Sequence, residues 1–313
     1  MASSSAQPVF RFAPSPNGRL HLGHALSALT NERFAARMGG RLLLRIEDID
    51  RERCTPALVQ ALLDDLAWLG VRFEPEVRRQ SEHIAGYAAA LALLQARDLV
   101  YPCFCSRQEV RAAVATQEAT SGRPWHVDPD GAPLYPGTCR ACDREVAAAR
   151  IAAGEPHVLR LAMDRAIAEV GDVAFSVIDA DGQAKTITAQ PARWGDVVLA
   201  RRDVPTSYHL AVVLDDALQG VTHVVRGRDL EAATDIHVVL QYLLGLPTPL
   251  YHFHELLTDG SGRKLAKSRG SESLADLRER GVTAAQIRQR LGFDGGGASA
   301  DAEPAQPGRR GDQ

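Results

Sequence analysis

The sequence predicts an α/β fold, in which a mainly parallel sheet carries helices on both faces. Residues 10–12 are apolar or aromatic at two positions of three, Pro14, Pro16 and Gly18 then favour a turn, and residues 22–34 place apolar side chains at helical spacing. Residues 41–46 and 221–227 are rich in the apolar side chains of buried strands. Each of these two strands ends in charged residues, at the edge where open α/β sheets bind ligands.

Composition restricts the class of protein. A chain of 313 residues can bury a full core, in one large domain or two modest ones. No apolar run reaches membrane-spanning length, and residues 1–9 lack the features of a signal peptide, so we expect a cytoplasmic protein with no membrane partner. The formal net charge of −3 means that any contact with nucleic acid must use local basic groups. Candidates are Arg78, Arg79, Arg201 and Arg202.

The turn before the first helix predicts an anion-binding site. A strand, a turn and a helix in this order point the free N–H groups and the positive end of the helix dipole at a ligand above the strand ends, which favours phosphate. His21 and His24 lie one turn apart at the start of this helix, and Gly23 leaves room for a ligand to approach the backbone. The alternative is two solvated histidines on a first turn.

The other elements follow from periodicity and composition. Helical spacing predicts helices over 56–69, 84–99, 234–245 and 272–292, whereas the alternation over 158–200 predicts short strands. The segment 205–217 is compatible with a helix or a strand edge. Composition predicts a disordered leader (1–8) and a disordered tail (293–313).

The cysteines predict a metal site in the insertion. The chain has five cysteines, an odd number, and four of them lie between Cys103 and Cys142, which argues against a disulfide framework. The pair Cys103 and Cys105, followed about thirty residues later by Cys139 and Cys142, suits tetrahedral zinc, which would fix residues 101–150. The alternative is a set of free buried thiols.

Two short motifs resemble those of a known family. His21-Leu22-Gly23-His24 resembles the HIGH signature of class I aminoacyl-tRNA synthetases, and residues 264–268, Lys-Leu-Ala-Lys-Ser, resemble their KMSKS loop, from which Ala266 departs. Residues 11–18, Arg-Phe-Ala-Pro-Ser-Pro-Asn-Gly, resemble the glutamyl/glutaminyl branch. The resemblance covers residues 9–290. It implies the class I Rossmann-type fold, a doubly wound parallel sheet whose first half (9–100) and second half (191–250) of the nucleotide-binding fold flank a zinc-bearing, acceptor-type insertion (101–190). A short helical C-terminal part with the KMSKS-like loop (251–292) follows.

The resemblance also implies an activity and the residues that carry it. An amino acid would be joined to ATP, with Mg²⁺ accompanying the nucleotide. The implied catalytic residues are His21, His24, Lys264 and Lys267, and the implied ATP contacts are His21, Gly23, His24 and Lys267. The implied contacts of L-glutamate are Arg11, Ala13, Ser15, Glu47, Tyr208 and Arg226, with Glu47 on the α-ammonium group. The implied ligands of one structural zinc are Cys103, Cys105, Tyr135 and Cys139, with Cys142 as the alternative to Tyr135.

Within this branch, the chain resembles the glutamyl-Q tRNA(Asp) synthetases. These truncated paralogues activate glutamate without tRNA and attach it to queuosine at the wobble position in the anticodon loop of tRNA(Asp). Arg226 supplies a cation that glutaminyl enzymes lack, and only about 45 residues follow Ser268, too few for the stem-contact and anticodon-binding domains of a full synthetase. The implied partners are L-glutamate, ATP and the queuosine-bearing anticodon stem-loop of tRNA(Asp). The alternatives are a shortened glutamyl-tRNA synthetase that charges a 3′ end, a catalytically silent tRNA-binding paralogue, and another adenylating ligase of the superfamily.

Overall fold

The computed structural model describes residues 7–202, 204–258 and 272–293. In these ranges it confirms the predicted α/β fold. The strands are β1 (Val9–Phe12), β2 (Arg41–Ile46), β3 (Val77–Arg79), β4 (Val100–Cys103), β5 (Val158–Leu161), β6 (Ala174–Ile178), β7 (Ala184–Thr188), β8 (Val198–Ala200), β9 (His223–Gly227) and β10 (Leu250–His254).

Helices connect most of these strands. They are α1 (Leu22–Arg37), α2 (Pro56–Leu69), α3 (Ile84–Ala96), α4 (Arg107–Ser121), α5 (Arg144–Ala152), α6 (Met163–Val170), α7 (Tyr208–Leu218), α8 (Thr234–Leu244), α9 (Leu274–Glu279) and α10 (Ala284–Arg290). Short 3-10 turns occupy Gln80–Glu82, Pro191–Trp194 and Arg228–Leu230. Within the described ranges, no helix combines the length and the apolar character needed to cross a membrane.

The main sheet has the strand order β3-β2-β1-β9-β10-β6-β7. All neighbouring strands are parallel except β6 and β7, which form an antiparallel pair at one edge. The chain builds β2 and β3 on one side of β1, and later β9 and β10 on the other side. The strand order therefore changes direction between β1 and β9, and a crevice for a ligand is expected outside the carboxyl ends of the strands at this point.

Alternation along the strands sends side chains into two separate cores. On one face of the sheet, Phe10 and Phe12 of β1 pack with apolar residues of α1 and α2. On the other face, Val9 of β1, Leu43 of β2 and Val224 of β9 pack with apolar residues of α3, α7 and α8. The sheet is therefore covered on both faces, as a doubly wound fold requires.

The predicted insertion, residues 101–190, differs from the structure at its C-terminal end. β4, β5 and β8 form a separate antiparallel sheet, although β8 falls in the range 191–250 assigned to the second half of the main fold. β6 and β7 fall in the predicted insertion, yet β6 pairs with β10 of the main sheet through Val177 and Tyr251. A strand pattern indicates that a segment is extended but not which strand it pairs with, so the boundary at 190 could not be predicted correctly.

The C-terminal part is helical, as predicted, but it is divided. Gly281 has a φ of 83°, in the left-handed region, and Thr283 caps the following helix, so that α9 and α10 replace one continuous helix. The amide of Leu274 donates to the carbonyl oxygen of Leu20 at 2.8 Å, which fastens α9 to the turn before α1. Residues 1–6 of the predicted leader, the motif at 264–268 and residues 294–313 of the predicted tail lie outside the described residues.

Candidate active site

The turn between β1 and α1 is held by its own two histidines. Nδ1 of His21, the N-cap residue of α1, accepts from the amide of Gly23 at 3.1 Å, and Nδ1 of His24 accepts from the amide of His21 at 3.1 Å. This reciprocal arrangement satisfies two of the free N–H groups of the helix start. A Cβ atom on Gly23 would lie 2.9 Å from Cε1 of His21, so glycine is needed here for the packing of the histidine ring as well as for any approach of a ligand.

This turn borders a cavity of about 530 Å³ at the carboxyl ends of the strands, which we call the smaller cavity. It brings together all of the predicted amino-acid and nucleotide contacts that lie in the described ranges. The predicted site residues that line it are Arg11, Ala13, Ser15, His21, Gly23, His24, Glu47, Tyr208 and Arg226. Lys264 and Lys267, the other two predicted catalytic residues, lie outside the described residues.

Three buried arginines lie on one face of the sheet at its carboxyl edge. Val9, Leu43 and Val224 pack in the core below α7 and α8. Because side chains alternate along a strand, the residue two positions later lies on the same face, and these residues are Arg11, Arg45 and Arg226. Each strand therefore changes from apolar to cationic toward its carboxyl end.

A buried ion cluster joins two of these arginines to α7. Nε of Arg11 lies 3.0 Å from Oδ1 of Asp216, and Nη1 of Arg45 lies 2.8 Å from the same oxygen. Nη2 of Arg45 lies 3.4 Å from Oε1 of Glu47, and its Nε lies 3.9 Å from Oδ2 of Asp215. Arg45 is fully buried and is the central cation of this cluster.

Asp215 extends the same cluster toward β3 and α3. Its carboxylate accepts from Nε of Arg78 at 2.7 Å, from Nε2 of Gln80 at 2.8 Å and from the hydroxyl of Tyr87 at 2.9 Å. Arg79 likewise pairs with the buried carboxylate of Asp48, at 3.3 Å. The guanidinium groups of Arg78 and Arg79 therefore serve internal ion pairs, whereas Arg201 and Arg202, also considered as phosphate contacts, are exposed.

The pKa values of two carboxylates in this cluster are shifted in opposite directions. Burial raises the pKa of Glu47 to about 7, although Arg45 and Arg11 act against this rise. Burial also acts to raise the pKa of Asp216, but Arg11 and Arg45 outweigh it and hold that pKa below its ordinary value. This environment favours the ionised form of Asp216, whereas the ionised form of Glu47 would be stabilised further by a cation in the cavity.

Arg226 is held on the other side of the smaller cavity by uncharged groups. Its Nη2 donates to Oγ1 of Thr234 at 2.6 Å, and its Nη1 lies 3.0 Å from Nδ1 of His237. The rings of Tyr251 and Phe253 lie 5.3 Å and 5.6 Å from the guanidinium carbon. Its Nε is buried, and no hydrogen-bond acceptor reaches it within the part of the chain that the structure describes. The guanidinium charge thus has no carboxylate partner of its own among the described ion pairs, unlike Arg11 and Arg45.

A second cavity of about 620 Å³, which we call the larger cavity, adjoins the first. Ser15, Glu47 and Tyr208 line both cavities. The larger cavity extends toward the insertion, where Asp128, Leu134 and Tyr135 contribute to its wall. A ligand in the smaller cavity would therefore be accessible to a second molecule bound between the main sheet and the insertion.

Three of the four cysteines of the insertion meet at one point. The sulfur atoms of Cys103, Cys105 and Cys139 all lie within 4.8 Å of one another. The hydroxyl of Tyr135 lies 3.6 Å from Sγ of Cys105 and accepts from the amide of Cys139 at 2.8 Å. Cys142 is not part of this group. Tetrahedral zinc with bonds to sulfur of about 2.3 Å holds its sulfur ligands just under 4 Å apart, so the cluster is compatible with a metal ion.

Comparison with known proteins agrees with this geometry. The model of the family "tRNA synthetases class I (E and Q), catalytic domain" matches residues 9–302. The chain therefore belongs to the class I aminoacyl-tRNA synthetases, in the branch of the glutamyl and glutaminyl enzymes. The glutamate-tRNA synthetase of Elizabethkingia anophelis has a similar structure, with a TM-score of 0.67 and 27% identity over 85% of this chain. The chain spans about half the length of that solved protein, 53%.

Within this family, several relatives carry the name glutamyl-Q tRNA(Asp) synthetase, and the resemblance inferred from the sequence is confirmed. That of Rhodobacter capsulatus is 48% identical over 91% of this chain and 100% of its own length. That of Symbiobacterium thermophilum is 39% identical over 90% of this chain and 85% of its own length. The glutamate–tRNA ligase 2 of Nitrosococcus oceani is 37% identical over 87% of this chain and 56% of its own length.

Sequence reasoning missed two pairs of residues beside the candidate site. One is the pair Asp215 and Asp216, whose carboxylates hold Arg11, Arg45 and Arg78. Two adjacent acids inside the apolar helical run 208–218 were a signal, because buried carboxylates need cationic partners. The other group is His209 and His237, which lie behind Arg226. No spacing rule connects these two histidines, since they come from different helices.

Proposed function

We propose that the protein joins L-glutamate to ATP as glutamyl-adenylate without tRNA, and then transfers the glutamate to queuosine at the wobble position of tRNA(Asp). The observation that carries the proposal is the charge pattern of the smaller cavity, in which Arg11 and Arg226 lie with Glu47. Free glutamate has one cationic and two anionic groups, and this cavity offers the complementary set. The names of the relatives support glutamate as the amino acid.

The amino acid fits the cavity in one orientation. Glu47 would receive the α-ammonium group, and the positive charge would hold Glu47 ionised against the burial that raises its pKa. Arg226, whose charge has no carboxylate partner among the described residues, would bind the γ-carboxylate together with Arg11. Glutamine would leave this buried charge unneutralised, which favours glutamate. Ala13, Ser15 and Tyr208 would complete the wall.

The ATP end follows from the start of α1. His21, Gly23 and His24 lie at the N-terminal end of α1, where the positive end of the helix dipole favours phosphate. Lys264 and Lys267 would follow negative charge onto the leaving pyrophosphate, and Mg²⁺ would accompany the nucleotide. The remaining catalysis consists of holding two anions together in line, which the fixed guanidinium groups of the cavity favour.

The acceptor nucleoside would enter the larger cavity, which shares a wall with the site of the adenylate. The name of the relatives supports queuosine of tRNA(Asp) as that acceptor. The second candidate is a glutamyl-tRNA synthetase that charges a 3′ end, since the relative from Nitrosococcus oceani carries the name of such an enzyme. ATP and tRNA are both present in the cytoplasm, where we propose that the protein acts.

Two measurements test the function. Pyrophosphate exchange into ATP should depend on glutamate and proceed with no RNA present; exchange that appears only after tRNA is added would contradict tRNA-independent activation. Glutamate should then be transferred to queuosine-bearing tRNA(Asp) whose 3′ end has been blocked. A failure to label the blocked tRNA, or labelling of tRNA(Glu) at its 3′ end, would favour the second candidate.

We further propose that Cys103, Cys105, Tyr135 and Cys139 hold one structural zinc ion. The three sulfur atoms and the tyrosine oxygen come from two segments of the insertion, β4 with the residues just after it and the loop before α5. The ion would therefore cross-link these two segments. Arg160 lies over the Tyr135 ring at 3.9 Å and would favour a tyrosinate ligand by its charge.

Removal of one thiol should release the metal. We expect about one zinc per chain by elemental analysis, and Cys139→Ser should lose it and make the insertion sensitive to proteolysis, because the site contributes folding free energy. Tyr135→Phe should weaken zinc retention in a chelator titration, whereas Cys142→Ser should not, since Cys142 is not part of the cluster. Stoichiometric zinc in Cys139→Ser, or equal retention in the other two variants, would contradict the proposed ligand set.

A further inference from the structure

Two histidines connect Arg226 with the larger cavity. Nη1 of Arg226 lies 3.0 Å from Nδ1 of His237, and Nε2 of His237 lies 3.1 Å from Nδ1 of His209. His237 is fully buried in α8, while His209, in the first turn of α7, is half-buried and lines the larger cavity. Three side chains from β9, α8 and α7 thus form one unbroken chain of hydrogen bonds between the two cavities.

The direction of each hydrogen bond follows from the chemistry of its groups. A guanidinium group can only donate, so Nδ1 of His237 must accept and carries no proton. The single proton of His237 is then on Nε2, which donates to Nδ1 of His209. His209 is therefore also unprotonated at Nδ1, and its proton is on Nε2. The arginine at one end determines the tautomer of both rings.

Burial favours the neutral form of both histidines, as this series of hydrogen bonds requires. Burial, with the charge of Arg226, lowers the pKa of His209 to about 4. Burial and the charge of Arg226 hold the pKa of His237 well below its ordinary value. Carboxylates pair with Arg11 and Arg45, but Arg226 is held by Thr234 and a neutral imidazole, which leave its full charge available to a ligand.

The far end of this series of hydrogen bonds, Nε2 of His209, is a donor that has no partner among the described residues. Nδ1 of His209 is directed at His237, so Nε2 lies on the other side of the ring, and no described residue pairs with it. The rings of Trp194 and Tyr208 lie 6.5 Å and 5.5 Å from the His209 ring, edge to face, and fix its plane. A ligand in the larger cavity thus meets an N–H group of fixed position.

We infer that His237 and His209 form a neutral relay of fixed tautomer, which positions Arg226 in the smaller cavity and presents an N–H donor to a hydrogen-bond-accepting oxygen or nitrogen of the ligand in the larger cavity. In the function proposed above, on which this assignment rests, that ligand is the acceptor nucleoside. His237 is a positioning residue, and His209 is a substrate contact that donates and cannot act as a general base at Nε2.

The tautomers can be measured independently of any activity. In ¹⁵N NMR spectra of histidine-labelled protein, assigned with single variants, His237 and His209 should each show a protonated Nε2 and an unprotonated Nδ1 at neutral pH. A proton on Nδ1 of His237, or a charged ring at either position, would overturn the relay. This result stands whether or not glutamate proves to be the substrate.

The donor at the end of the relay is tested by two matched variants. The amide of asparagine lies where Nδ1 of histidine lies, whereas the amide of glutamine reaches the position of Nε2. His209→Asn should lower the ratio of glutamate transfer to pyrophosphate exchange about tenfold, the effect of one hydrogen bond, and His209→Gln should keep it within about threefold. Equal ratios in the two variants, or a larger fall in His209→Gln, would overturn the assignment.

The positioning role of His237 is tested by rescue. His237→Leu should raise the KM for glutamate in the exchange reaction at least about tenfold with a smaller change in kcat, and His237→Asn should restore most of it, because its amide oxygen can accept from Arg226. His223→Leu is the control, since His223 is a buried histidine stacked on Phe10 at the opposite end of β9. Equal KM values in His237→Leu and His223→Leu would overturn the positioning role. Absence of glutamate-dependent exchange in the unmodified protein would instead contradict the proposed function.

Discussion

Arg45→Met will lower the free energy of unfolding by about 3–5 kcal/mol, the largest loss that we expect from a single substitution in this chain. Arg45 is fully buried and lies within 4 Å of the carboxylates of Glu47, Asp215 and Asp216. Methionine has a similar shape but removes the charge, so that these carboxylates remain buried with only Arg11 and Arg78 to balance them. Urea denaturation followed by circular dichroism will give the value.

Arg41→Met is the matched control for this prediction. Arg41 begins the same strand, β2, but its side chain is 43% exposed and its ion pair with Glu74 lies at the surface. Surface ion pairs contribute about 0–1 kcal/mol, so the control should lose no more than that. A loss in Arg45→Met no larger than in Arg41→Met would mean that the buried cluster is not required for stability.

Arg226→Gln will lower kcat/KM for glutamate in pyrophosphate exchange by about 30-fold to about 5,000-fold, equivalent to a loss of about 2–5 kcal/mol. The guanidinium group lines the smaller cavity, is 5% exposed and has no carboxylate partner among the described residues. Its replacement removes a desolvated partner of the γ-carboxylate, and the preference for glutamate over glutamine should fall with it. Competing exchange reactions with the two amino acids will measure that preference.

Arg228→Gln provides the control for Arg226→Gln. Arg228 lies two residues further along the chain, but its guanidinium is exposed and pairs with Glu231 and Glu255 at the surface. Its substitution should change kcat/KM for glutamate by less than about threefold. An unchanged amino-acid preference in Arg226→Gln would show that Arg226 does not bind the γ-carboxylate.

Much of the main fold could be predicted from local patterns. The helix predicted over 56–69 is α2, because Thr55, Pro56 and Gly70 provide its start and end signals beside a clear apolar stripe. β2 and β9 were predicted from their apolar runs. By contrast, α6 fell in a region predicted as strands, since its eight residues are too few for helical periodicity to outweigh the alternation around it.

The residues of the candidate site could be predicted where short sequence motifs identify them. They could not be predicted where only tertiary packing brings them together. The turn at 11–24 and the cysteine spacing identified residues that the structure brings to one cavity and to one cluster. The partners of those residues come from distant segments: Asp216 is 205 residues from Arg11. Such pairings depend on which strands are adjacent, and side-chain periodicity in one sequence contains no information on that adjacency. The functional roles of the individual site residues stay predictions.

The ion cluster between Arg45 and α7 also restricts how this sequence can evolve. Arg45 has contacts with three carboxylates and Asp216 with two arginines, so that the exchange of any one member alters the charge balance around the others. Single substitutions at these buried positions are therefore costly, and a route that changes two of them nearly together is favoured. Among distant relatives, we expect the residues equivalent to Arg45 and Asp216 to be replaced as a pair or not at all.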